Sequence, residues 1–267
     1  MYIDKGTAGL HEFMKLRNYS DTLYVQLIED LPLFWESIRM NTLSVKSREK
    51  EINQSIETLK ELYPELKPAN IYFTIGGMRS GGTVKDDMSL IGCEIAAADK
   101  KVNISEFKSH GHDWLIPFFE SQNSAKIVSM NVHEYVHTQQ KNMGTNILSQ
   151  ALHEGSCDFI TELVTKRNLQ SHYMQFGATN ESNLKQDFLR EAFDTEYANW
   201  FYNADSRYGL QDVGYFMGYS ICKAFYDKAE NKRLAIKQII ELDHSDLNAV
   251  VAFTNSSGYF NQPLRWK

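Results

Sequence analysis

What is scarce in these 267 residues narrows the reading first. Five prolines are too few for an extended, Pro-rich chain. The 15 glycines show no three-residue period, so a collagen-like chain is excluded. The three cysteines, Cys93, Cys157 and Cys222, are odd in number, far apart and without CxxC spacing. Neither a disulfide framework nor a cysteine-based metal site is expected from them. No run of about 18 apolar residues occurs, so no transmembrane helix is expected. The first residues, Met1 to Thr7, lack a basic segment followed by an apolar one, and no signal peptide is read there. Positive charge is not in excess either. With 28 Lys and Arg against 34 Asp and Glu the net charge is −6, which gives no general attraction to nucleic-acid phosphates.

What remains is enough for a folded core. Hydrophobic residues make up 42% and aromatics 12%, so a wholly disordered chain is excluded. From about Ser20 to Pro64 the apolar residues recur at helical spacing, with Leu31, Phe34 and Trp35 on one stripe and Ile52, Ile56, Leu59 and Leu62 on another. Asn70 to Ile75 is rich in aromatic and β-branched residues and predicts a strand; Ser89 to Ile95 predicts a second. Between them lie Gly76-Gly77 and Gly81-Gly82, read as a mobile loop rather than a phosphate cradle, because no P-loop or GxGxxG spacing is present. The rest reads as helical: Ile127 to Asn142 with Gly144 as its C-cap, Asn146 to Arg167, then about 185–203, 212–230, 232–242 and a last short helix. No linker interrupts the pattern. The expectation is one α+β domain, mostly α, over residues 1–267, with N-terminal helices and a small sheet to about 125 and a helical part from about 126.

The chemistry-bearing stretch is His133-Glu134-Tyr135-Val136-His137, an HExxH pattern on a segment that is helical by independent signs. Residues i and i+4 share one helix face, so both imidazoles can reach one metal. Glu134 beside them can hold and deprotonate a metal-bound water. On the next helix Glu154 and Asp158 form ExxxD, again one turn apart. Two antiparallel helices joined near Gly144 bring Glu154 opposite the histidines and complete a His-His-Glu set with one position left for water. Asp158 then accepts a hydrogen bond from a ligand histidine, His133. Gly155 lets the helices approach closely. The bland alternative is a helical protein whose surface residues match by coincidence.

HExxH followed by ExxxD resembles the gluzincin metallopeptidases. The resemblance implies a zincin-like metallopeptidase domain with its small sheet packed against the HExxH helix. It also implies His133, His137 and Glu154 as zinc ligands and Glu134 as general base. A metzincin pattern fails, because Gln140 and Met143 stand where its Gly and third His belong. The strand-plus-glycine region from Ile71 to Glu94, HEYVHT, HEGSCDFITEL and Gly214-Tyr215-Phe216-Met217-Gly218-Tyr219 resemble a group of predicted zinc-dependent proteases. That group is similar to envelope lipoproteins linked to bacterial gliding motility. It implies the bacterial cell envelope or periplasm as location, with the cytoplasm as the alternative.

The activity implied is zinc-dependent peptide-bond hydrolysis on a peptide or protein substrate, endo- or aminopeptidase left open. The alternative is a zinc-binding but non-catalytic envelope component. Gluzincins stabilise the oxyanion with a Tyr or His, and Tyr215 and Tyr219, an i, i+4 pair, are the candidates here. The strand ending in Gly92-Cys93-Glu94 is the candidate edge strand for an extended substrate, with Glu94 as a candidate for binding a free amine. His153, Cys157 and His110-Gly111-His112-Asp113 read as a helix-surface histidine, a small buried residue and a polar loop.

Overall fold

A computed structural model describes residues 2–121 and 126–266. The chain is mostly helical with a small three-stranded mixed sheet, an α+β architecture. It forms two compact units. The first is Met1–Thr58 with Lys67–Thr138, and the second is Leu59–Leu66 with Gln139–Lys267. The division expected near residue 125 falls outside the described residues. The units part after Thr138, so the HExxH segment belongs with the sheet and not with the later helices.

The first unit opens with α1 (Ala8–Arg17), α2 (Asp21–Asp30) and α3 (Pro32–Ser44). Thr7 and Ser20 cap the first two by accepting the amides of Leu10 and Leu23, and Pro32 starts the third where a missing N–H costs nothing. Helix α4 (Glu49–Leu62) follows and ends in the second unit's share of the chain. The sheet comes next: β1 (Asn70–Thr74), β2 (Gly82–Lys85) and β3 (Met88–Gly92). Its order is β1-β3-β2, with β1 parallel to β3 from Asn70↔Met88 and β2 antiparallel to β3 from Gly82↔Ile91. Short helices α5 (Cys93–Ala96) and α6 (Ile116–Glu120) precede α7 (Lys126–His137), which packs on β2 and β3. Leu27, Leu31, Phe34, Phe107 and Phe119 fill one buried cluster; Ile91, Cys93, Ile127 and Val128 join a second, between sheet and α7.

The second unit is built on α8 (Ile147–Thr165) and α10 (Val213–Lys228). Helix α9 (His172–Glu191), α11 (Lys232–Ile240) and α12 (Leu247–Ser257) pack around them. Asn146 caps α8 by accepting the Ser149 amide, and Lys166 in the left-handed region closes it. Gly155, expected to let α8 approach the HExxH helix, has α10 as its close neighbour instead, since a Cβ there would fall on the backbone of Gly218 and Tyr219.

Several boundaries differ from the sequence reading. Helix α7 stops at His137, where Thr138 turns its hydroxyl back to the Tyr135 carbonyl at 2.7 Å. Gly144 is therefore not its C-cap. The helix expected at 185–203 lies at 172–191 instead, because its buried residues (Met174, Gly177, Leu184 and Phe188) are too sparse to show the period. The second strand ends at Gly92 and becomes α5, and β2 emerges inside the segment read as a loop.

Candidate metal centre

In the first unit, α7 carries His133, Glu134 and His137. One helical turn sets the two imidazoles on the same face, with ring centroids 4.8 Å apart and Nε2 to Nε2 at 3.1 Å. Two nitrogens that each bind one tetrahedral zinc at about 2.0–2.1 Å are separated by roughly 3.3 Å. The pair is thus spaced as two ligands of a single ion, and the imidazole donors are those zinc takes. Glu134 is buried, and its carboxylate lies directly against Gly82 of β2; a Cβ at that position would overlap it. The Tyr135 hydroxyl, accepting the Ala69 amide at 2.9 Å, ties α7 to the chain entering β1.

In the second unit, α8 presents Glu154 and Asp158, exposed by 8% and 4%. Glu154 Oε1 accepts from the Tyr202 hydroxyl at 3.1 Å and from Gln150 Nε2 at 3.3 Å. Gln150 also donates to the Tyr202 oxygen at 2.7 Å, which closes a three-membered network around the carboxylate. Asp158 accepts the Tyr173 hydroxyl at 2.9 Å. Asp212, which precedes α10 in the left-handed region, accepts the Tyr202 amide at 2.9 Å. Burial pushes its carboxyl up to about 7. The donors from Gln150, Tyr202 and Tyr173 are neutral amide and hydroxyl groups. Tyr202, Gln150 and Asp212 carry no recognisable motif. Tyr202 sits in the irregular 192–212 segment, where no periodicity marks it.

The remaining candidates divide. Tyr215 is half-buried beside Tyr173, ring centroids 5.2 Å apart, and desolvation and the nearby Glu154 raise its hydroxyl pKa. Tyr219, one turn on, donates to Glu162 at 2.6 Å. Glu162 is two turns beyond Glu154 along α8, so the Tyr219 hydroxyl is engaged away from the Glu154 network. Gly92 is not on an edge: β3 is the central strand, with β1 and β2 on its two sides, and the edge beside Glu134 belongs to β2. Its glycine is needed for another reason, since a Cβ would come within 2.5 Å of the Ser80 carbonyl oxygen.

Glu94 is fully buried and cannot meet a substrate amine. Its oxygens accept the amides of Gly76 at 2.7 Å and Met78 at 3.2 Å. His110 is engaged with the Glu106 carbonyl at 2.9 Å, and His112 packs its ring by Phe107, as a polar loop requires. The His153 and His244 rings meet edge-on at 5.2 Å, and all three cysteines are buried thiols.

Burial pushes the Glu94 carboxyl up to about 7 against the two amide bonds, which pull it down. Around it stand the hydroxyls of Tyr2, Tyr19 and Tyr24 and the Cys93 thiol. A carboxyl raised from about 4.3 in the unfolded chain stabilises the fold below that value and loses the contribution as pH rises towards 7. The expected size is roughly 2 kcal/mol between pH 5 and pH 8. Urea unfolding at the two pH values checks it: the stability gap between wild type and Glu94→Gln should be wider at pH 5.

Comparison with protein-family models, curated proteins and solved structures finds no match. Among the described residues, no helix is long and apolar enough to cross a membrane.

Proposed function

We propose that the chain is a zinc-dependent peptidase of the gluzincin type. His133, His137 and Glu154 would hold the ion, and Glu134 would act as general base. One observation carries the reading: on α7 two imidazole nitrogens stand 3.1 Å apart, with an intervening carboxylate turned onto the backbone of β2. A purely structural helix has no need of two half-buried histidines at ligand spacing next to a buried acid. The third ligand is assigned from the ExxxD motif. The donors that Tyr202 and Gln150 supply to Glu154 are the outer hydrogen bonds such a ligand requires. Asp158 is proposed to accept the ring N–H of His133.

When bound, zinc polarises a scissile carbonyl and makes a water easier to deprotonate. Glu134 takes the water's proton and passes it to the leaving amine. Its pocket against Gly82 keeps the carboxylate in one orientation for both transfers. An extended peptide would be aligned along β2, the edge strand beside that carboxylate. Tyr215 is the remaining tyrosine proposed to stabilise the oxyanion. The envelope location follows the sequence resemblance and is a proposal with it.

Two measurements follow. Zinc-loaded protein incubated with a mixed peptide library should yield new peptide ends by mass spectrometry, and their positions separate amino-terminal trimming from internal cutting. No cleavage with zinc retained would favour the non-catalytic zinc-binding component. Removing one donor to the third ligand should loosen zinc: Tyr202→Phe is expected to weaken zinc affinity by about 10-fold to 100-fold, read by chelator competition.

A further inference from the structure

Glu94 lies outside the proposed ligand set, yet its place in the first unit links it to the base. Its two carboxylate oxygens accept the amides of Gly76 and Met78, in the turn after β1. Gly76 must lack a side chain, since a Cβ would lie 2.7 Å from Glu94 Oε1. Met78 follows in the left-handed region with its side chain buried. Arg79 then donates to the carbonyls of Arg17 and Asn18 at 2.8 and 2.9 Å, which ties the turn to the end of α1. The Gly81 carbonyl accepts the Gly92 amide at 3.0 Å. A Cβ on Gly81 would stand 2.9 Å from Met130 of α7. The next residue, Gly82, backs the Glu134 carboxylate. The glycine-rich segment is therefore tied to the fold at Gly76, Met78, Arg79 and Gly81. Glu94 fixes one end, and the other end is the wall of the Glu134 pocket.

We propose that Glu94 is a positioning residue for Glu134, acting through the 76–82 segment to set the β2 backbone against the Glu134 carboxylate. The proposal rests on the assignment of Glu134 as base for its catalytic readout only. Glu94→Gln keeps the size of the side chain but turns an amide N–H₂ towards one of the two backbone donors, so one bond is lost and like dipoles meet.

The test compares zinc-loaded wild type, Glu94→Gln and Glu134→Gln. In Glu94→Gln, amide hydrogen exchange should quicken at 76–78 and also at 81–84. Zinc content should be unchanged, and kcat should fall by about 10-fold to 100-fold with KM changed less than about twofold. Faster exchange confined to 76–78, or an unchanged kcat in an enzyme that Glu134→Gln silences, overturns the proposal. If wild type cleaves no peptide, the base assignment fails, and exchange at 81–84 still decides whether Glu94 controls the strand. If Glu94→Gln does not fold, Gly76→Ala presses on the same carboxylate from the other side and is expected to give the same pattern.

Discussion

Glu134→Gln should lower peptide hydrolysis by about 100-fold to 10,000-fold and leave zinc bound. Glutamine matches glutamate in size, so it fits the space against Gly82 that any added carbon would fill. It cannot take a proton from water or return one to an amine. The proposed ligands His133 and His137 are untouched, and their 3.1 Å spacing is set by the helix rather than by the acid between them. Initial rates on a cleaved peptide, with zinc content measured on the same samples, check both halves. Surviving hydrolysis would mean that another group is the base. Lost zinc would mean that Glu134 supports the ligands, and the rate loss would say nothing about proton transfer.

Gly218→Ala should destabilise the second unit by about 3 kcal/mol, the upper end of the usual overpacking cost. Helices α8 and α10 pass so closely that Gly155 and Gly218 face one another's backbone. A Cβ at 218 would fall on the Ala151 carbonyl, and a Cβ at 155 on the Gly218 and Tyr219 backbone. No rotamer relieves a clash with main chain, so the helices must separate. Separation loosens the packing between α8 and α10, where Leu152 and Met217 are fully buried. Thermal or urea unfolding reads the loss directly. A change under about 1 kcal/mol would show that the two helices can slide apart at little cost.

How much of this was legible in the sequence depends on the signal each feature leaves. The two helices with HExxH and ExxxD carry dense apolar periodicity and motif spacing, and both exist within a few residues of expectation. The end of α7 was hidden because Thr138 to Asn142 contains no glycine or proline to mark a stop. Strand β2 is four residues, Gly82-Thr83-Val84-Lys85, behind a glycine pair, so its composition resembles a loop. Its edge position was in turn assigned to β3, whose sequence is the more strand-like but whose place is central. Glu94 at the end of a strand reads as a candidate for binding a free amine; only the folded chain shows that it faces inward to two amides. Tyr202 is recognisable by no spacing, since its partner Glu154 is 48 residues away. The i, i+4 pairing that grouped Tyr215 with Tyr219 is real on α10, but one turn of helix is enough to give them different neighbours, Tyr173 and Glu162.

The central claim is a zinc ion held by His133, His137 and Glu154. The most direct measurement is an anomalous difference map at the zinc edge from crystals of the zinc-loaded protein. The account predicts one strong peak about 2.0–2.2 Å from the Nε2 atoms of His133 and His137 and from a Glu154 carboxylate oxygen. No peak at the two histidines, or a peak there with Glu154 out of reach, would contradict it.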